Sequence, residues 1–213
     1  MQYSPAQIQQ ALIKKIHQMV NECIRCSYHV NGRAYPFFGS HAKYLMIGEA
    51  PHVDEVAQGT PFVGDCGTKM WKAIYDLIGL VRNDFIIFNS VLCKPDIPSG
   101  KTIGKPTKQT IGSCFVKRTD VLSYLYNYFN IRHVLVLGNF ARYIFTGQMG
   151  GIDSASGSTV VHEHCGKQFF LTYCLHPAAF GYNPANRAKF EESIRVFGEA
   201  IKQDGHNGFE TAA

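Results

Sequence analysis

Apolar positions along the chain follow two periods, and the two alternate. After Ser4-Pro5-Ala6-Gln7, which reads as a helix start with Ser4 as cap and Pro5 in the first turn, Ile8, Leu12, Ile16, Met19 and Val20 recur at helical spacing. Short apolar runs bounded by breakers predict buried strands at residues 43–47, 85–91, 133–137 and 168–175. Between them, Met70, Trp71, Ile74, Leu77 and Ile78 share one face of a helix that Asp65 opens and Gly79 ends. Residues 114–129 predict another helix, Gly138-Asn139 start a short one, and Phe190, Ile194, Phe197 and Ile201 stripe the last. Residues 94–113 hold Pro, Gly, Lys and Thr with little periodicity and read as a surface loop. One domain is expected over 1–203, with a disordered tail at 204–213.

Strands that alternate with helices imply an α/β fold: a parallel sheet with helices on both faces. Glu49, Asn89, Asn139 and His176 each fall at or just past the carboxyl end of a predicted strand. In a parallel sheet those ends share one edge, the edge at which ligands bind, so polar groups distant in sequence can meet in one crevice. The segment after the first strand, from Gly48 through Glu49, Pro51, His52, Asp54 and Glu55 to Pro61-Phe62-Val63-Gly64, is rich in Gly, Pro, acid and aromatic residues. It reads as a site rather than a connection.

Composition narrows the class. A chain of 213 residues with 46% hydrophobic content can bury a real core. Charged residues make up 17%, below the usual quarter or so, which suits a deeply buried sheet. The net charge of +5 favours a polyanionic partner. No apolar run approaches the roughly 20 residues that span a bilayer, and the N-terminus lacks a signal pattern. A cytoplasmic or nucleoid-associated monomer without membrane contact is expected. Seven cysteines, an odd number, do not suggest a disulfide framework in that compartment.

Cys23-x-x-Cys26 is a local chelating pair, and Cys93 and Cys114 bracket the basic loop. One pair plus two single cysteines suits a four-thiolate site for iron–sulfur or zinc, although small buried cysteines are an alternative for Cys93 and Cys114. Cys66, Cys165 and Cys174 read as packing residues.

The motifs Gly48-Glu49-Ala50-Pro51, Pro61-Phe62-Val63-Gly64, Asn89 with Cys93-Lys94-Pro95, and His176-Pro177-Ala178-Ala179 together resemble those of the family 4, iron–sulfur uracil-DNA glycosylases. The resemblance runs from Cys23 to about Pro184. It implies a three-layer α/β/α fold with a four-stranded parallel sheet. It also implies a [4Fe-4S] cluster on Cys23, Cys26, Cys93 and Cys114, and base excision from single- or double-stranded DNA by a monofunctional enzyme that leaves an abasic site.

By that resemblance Gly48, Ala50 and Phe62 wall a base pocket, with the flipped uracil stacked on Phe62. The Asn89 carbonyl accepts from uracil N3–H and its amide donates to O4, a pattern that cytosine reverses. His176 donates to O2 as negative charge builds. Glu49 orients water or stabilises the cationic sugar, or else is satisfied by the backbone of its own loop; Glu55 and Asp54 are further candidates. Lys94, Lys101, Lys105 and Lys108 on the loop would meet phosphates, and Phe180 or Tyr182 would fill the gap left by the base, where the family often has leucine. His52 stands where the family usually has glycine, as a gate on the pocket or a change in its shape. No histidine lies between Cys93 and Cys114, so turnover is expected rather than covalent trapping of DNA. Rival readings are a glycosylase for another modified base, a non-catalytic DNA-binding module of the replication machinery, and a zinc–Cys₄ protein.

Overall fold

A computed structural model of the chain describes residues 4–101, 104–114, 121–181 and 183–207. The first helix, α1 (Pro5–Asn21), begins as expected. Ser4 Oγ accepts from the Gln7 backbone N–H at 3.3 Å, and Gln7 Oε1 accepts from the Ser4 N–H at 2.8 Å. The four expected strands are present as β2 (Tyr44–Gly48), β3 (Phe85–Asn89), β4 (His133–Leu137) and β6 (Lys167–Cys174). They pair in parallel, and the registers Gly48↔Asn89 and Leu137↔Cys174 bring their carboxyl ends to one level.

The sheet is larger than the expected four strands and is mixed. Two antiparallel strands, β1 (Phe37–Phe38) and β5 (Thr159–His164), flank the parallel centre in the order β1-β3-β2-β4-β6-β5. Both lacked a sequence signal for physical reasons. β1 is too short to show a period. In β5 the consecutive Val160 and Val161 are both exposed, so the alternation of a half-buried strand is broken.

Alternate residues of the central strands feed two cores. Leu45, Ile47, Ile86, Phe88, Val134 and Val136 face α1, α5 (Val121–Phe129) and α6 (Gly138–Thr146). Met46, Phe85, Ile87, Leu135 and Leu137 face α3 (Asp65–Ile78), through Met70 and Ile74, and α8 (Pro184–Asn207), through Phe190, Ile194 and Phe197. This is the expected three-layer arrangement, with both faces of the sheet covered.

Some local expectations need correction. Two short helices lie inside segments read as loops: α2 (Val53–Gln58) after β2, and α4 (Lys108–Ser113), which Thr107 caps by accepting from the Thr110 N–H at 3.1 Å. The helix α3 is capped by Gly64, one residue before the expected Asp65. Another four-residue helix, α7 (Ile152–Ala155), follows α6. The expected helix over 114–129 is described only from Val121 onward. At the far end, α8 continues past 203, and Asp204 pairs with Arg132 at 3.0 Å and His133 at 3.1 Å. The helix therefore runs past residue 203, and 208–213 lie outside the described residues. Cys66 and Cys165 are exposed rather than packed, whereas Cys174 is buried. Among the described residues no helix is long and apolar enough to cross a membrane.

Candidate active site and thiol pocket

The candidate base site starts from a missing side chain. A Cβ on Gly48, the last residue of β2, would stand 2.4 Å from the Phe62 ring and 2.5 Å from Asn89 Oδ1. Glycine there lets an aromatic ring and a carboxamide approach the same backbone. The Phe62 and His176 ring centroids lie 6.0 Å apart with planes at 37°. Gly48, Phe62, Asn89 and His176, spread over four motifs, thus converge at the carboxyl edge of the sheet.

Each polar group has a distinct condition. Asn89 is 3% exposed, yet its side chain makes no hydrogen bond with a described residue. A buried amide costs free energy unless it finds a partner, so a ligand with matching donor and acceptor would satisfy it. His176 is half-buried, and burial pushes its pKa down to about 4. Its Nδ1 accepts from the Ala178 N–H at 3.3 Å, which leaves the proton of the neutral ring on Nε2 as a donor.

Glu49 and Glu55 part company. The half-buried Glu49 carboxylate has no hydrogen-bond partner among the described residues. Burial pushes its pKa up to about 7, with Lys105 pulling it back. The backbone around it is pinned: Ser90 Oγ donates to the Gly48 carbonyl at 2.6 Å and the Val91 N–H to the Glu49 carbonyl at 3.3 Å. Glu55, by contrast, is 8% exposed and accepts from the His52 N–H at 2.7 Å and from the Phe62 N–H. Burial raises its pKa while those two donors, with the His52 and Arg82 charges, pull it down. Satisfaction by the loop's own backbone, an alternative for Glu49, belongs to Glu55. Asn139 is also committed elsewhere, since its Oδ1 accepts from the Ile152 N–H at 3.0 Å. Asp54 lies with Gly64, where a Cβ would be 2.9 Å from Asp54 Oδ2. Ala50 is half-buried beside Glu49, and His52 is exposed at the start of α2.

A second pocket opens beside the first. Cys23, Cys26, Cys93 and Cys114 line it together with the apolar Val20, Val91 and Leu92. The Arg33↔Cys93 bridge, with Ala34 N–H to Leu92 O and Lys94 N–H to Gly32 O, both at 3.0 Å, carries Cys93 to the end of α1. Burial pushes the Cys93 thiol up to about 11; Arg33 lowers it, while Cys114, Cys26 and Cys23 each add to the rise. Each of the other three sulfurs is thus close enough to act on Cys93. Among the described residues no group of three or more is arranged to hold a single metal ion. Four cysteines around one largely apolar pocket are the donor chemistry that a four-iron cluster takes.

Of the loop lysines, Lys101, Lys105 and Lys108 are exposed and Lys94 is half-buried. Tyr182 and the side chain of Phe180 lie outside the described residues.

The family model of the uracil DNA glycosylase superfamily matches residues 35–198, a span that contains Gly48, Phe62, Asn89 and His176. The chain belongs to that superfamily. It is 31% identical over 190 residues to the type-4 uracil-DNA glycosylase of Saccharolobus solfataricus, covering 85% of this chain and 83% of that protein. The type-4 enzyme of Archaeoglobus fulgidus is 30% identical over 84% of this chain and 88% of its own length. For that of Pyrobaculum aerophilum the figures are 29%, 87% and 92%. Within the superfamily match lie Cys93 and Cys114, whereas Cys23 and Cys26 precede it.

Sequence reasoning overlooked Ser90, which holds Gly48, and Arg33, which faces Cys93 and donates to the carbonyls of Val20 and Asn21 at the end of α1. It also overlooked Arg82, and read Trp71 only as part of a helix face; both are hydrogen-bonded to the Phe62 carbonyl. None of these lies in a motif. Glu55 did carry a signal, an acid three residues into a helix, which is the capping-box position.

Proposed function

We propose that this chain is a monofunctional uracil-DNA glycosylase that hydrolyses the N-glycosidic bond of uracil in DNA and leaves an abasic site. The observation that carries the reading is the buried Asn89 amide, without a side-chain hydrogen-bond partner among the described residues, close to Gly48 and beside Phe62 and His176. Such a pocket suits a flat heterocycle turned out of the stack. Phe62 would offer its face to the base. Asn89 would accept from N3–H and donate to O4. Cytosine presents the reverse pattern, so it would leave buried groups unpaired.

As the glycosidic bond breaks, charge develops as a uracil anion and a cationic sugar. His176 Nε2–H would donate to O2 of the leaving base, and a neutral imidazole is enough for that. Glu49, ionised above about pH 7 and held by its pinned backbone, would stabilise the sugar cation or orient the attacking water. Lys101, Lys105 and Lys108 would contact phosphates, and His52 would stand at the pocket rim, where it bears on base choice.

Cys23, Cys26, Cys93 and Cys114 would hold the [4Fe-4S] cluster. Its contribution would be a structural cross-link between the end of α1 and the segments around Cys93 and Cys114. The type-4 names of the relatives support this assignment, as does the gathering of the four cysteines around one pocket. Iron and sulfide analysis of anaerobically purified protein tests it: about four of each per chain is expected, and zinc alone would overturn it. Excision from single- and double-stranded oligonucleotides carrying one uracil, with thymine and hypoxanthine as controls, tests the activity.

A further inference from the structure

We propose that Arg82 and Glu55 form a clamp that positions Phe62 as the floor of the base pocket, making both of them positioning residues for base stacking. The proposal rests on the uracil reading only for the identity of the stacked base. Phe62 has φ 55°, a left-handed conformation that a bulky side chain rarely adopts. Something must hold it there, and both of its peptide groups are held. On one side the Glu55 carboxylate accepts the Phe62 N–H. On the other, the Phe62 carbonyl accepts from Arg82 Nη1 at 3.3 Å and from Trp71 Nε1 at 3.2 Å. Arg82 Nη2 donates to Thr60 Oγ1 at 2.8 Å, two residues upstream. A Cβ on Gly67 would lie 2.2 Å from the same carbonyl, so α3 packs directly against the clamped peptide.

Arg82 is itself fixed. Its guanidinium lies 4.3 Å from the Phe37 ring centroid and 5.7 Å from that of Trp71. Phe37 belongs to the short edge strand β1 and pairs with Ile87, which gives that strand a local purpose. The opposite charges of Arg82 and Glu55 act on one another across the peptide they hold. Glu55 also takes the His52 N–H, so one carboxylate sets both the floor and the rim residue.

A double-variant cycle separates this role from general support of the fold. Single-turnover uracil release is measured for the parent, Arg82→Met, Phe62→Ala and the double variant, with Arg82→Lys as the conservative change. Methionine keeps apolar bulk over Phe37 but donates nothing. The clamp predicts release slowed between about tenfold and about 100-fold by Arg82→Met, as expected for a misplaced binding group. It predicts partial recovery in Arg82→Lys, and a double variant no slower than Phe62→Ala alone. Losses that multiply would overturn it, because Arg82 would then act elsewhere. The emission of Trp71, the chain's one tryptophan, reads the same cycle without substrate: coupled shifts support the clamp and additive shifts overturn it. A parent that releases no uracil overturns the uracil reading alone, and the Trp71 cycle then decides the clamp. If Arg82→Met does not fold, the cycle with Arg82→Lys makes the same comparison.

Discussion

The base pocket and the thiol pocket are neighbours, both placed by the chain that leaves β3, where Asn89 and Cys93 are four residues apart. They are built in opposite ways. The base pocket is closed by protein contacts: Ser90 on Gly48, Glu55 and Trp71 on Phe62, and Ala178 on His176. The side chains proposed to meet the nucleotide, Asn89 and Glu49, have no hydrogen-bond partner among the described residues. In the thiol pocket the protein brings sulfurs together against their preference, with Cys93 pushed up to about 11 by burial and by the other three thiols. A bound cationic group would remove that conflict. On the proposed reading one site would be preorganised to act on a ligand, and the other would depend on a ligand to be organised.

The largest effect should come from breaking the thiol pocket. Cys93→Ala, or removal of iron by a chelator, is expected to lower stability by about 3 kcal/mol, or roughly 10 °C in Tm for a chain of this size. Thermal unfolding followed by circular dichroism checks this. An unchanged Tm would remove the contrast between the pockets.

In the base pocket the expectation reverses. Asn89→Ala and His176→Ala should each lower kcat/KM for uracil release by about 10²–10³-fold while Tm moves by only a few degrees. A large loss of Tm in either variant would make these groups part of the scaffold instead.

The pH dependence sharpens the contrast between the two carboxylates. Glu49 must be charged to act on a cation or orient water, and its pKa is near 7. Excision should therefore fall as pH drops through about 7, and Glu49→Gln should be slow with that acid limb gone. His176 stays neutral down to about 4 and does not set this limb. The stability sign is opposite. A carboxyl whose pKa is raised by folding favours the fold while protonated, and that contribution is lost as pH rises from the unfolded value through about 7. Glu49→Gln should thus match or exceed the parent's stability at pH 8, as measured by denaturant midpoint.

The smallest effect belongs to Lys105. It pulls the Glu49 pKa down, so Lys105→Ala should move the acid limb of the rate profile toward higher pH. An unmoved limb would mean that Lys105 and Glu49 act independently.

The legible parts of this molecule are those with a period or a motif. The four parallel strands announced themselves as short apolar runs, and their order predicted a shared edge at Glu49, Asn89 and His176. The β1 strand was invisible because two residues carry no period. Arg82 was invisible because its partners, the Phe62 carbonyl and the Thr60 hydroxyl, are 20 and 22 residues away in sequence. Glu49 and Glu55 look alike on paper, both acids in one polar segment. Only the turn of α2, which aims Glu55 back at its own N-terminus, separates the structural carboxylate from the available one. Asn139 shares the strand-end position of Asn89 but bonds Ile152, so position at the edge did not by itself make a site residue.

The account depends most on uracil being the base that Asn89 reads. The direct measurement is single-turnover release of free base by anaerobically purified protein, from oligonucleotides carrying uracil, thymine or hypoxanthine at one position. The account predicts uracil release, little from thymine or hypoxanthine, and loss of uracil release in Asn89→Ala. Protein that retains its cluster yet releases no uracil, or releases hypoxanthine in preference, would contradict it.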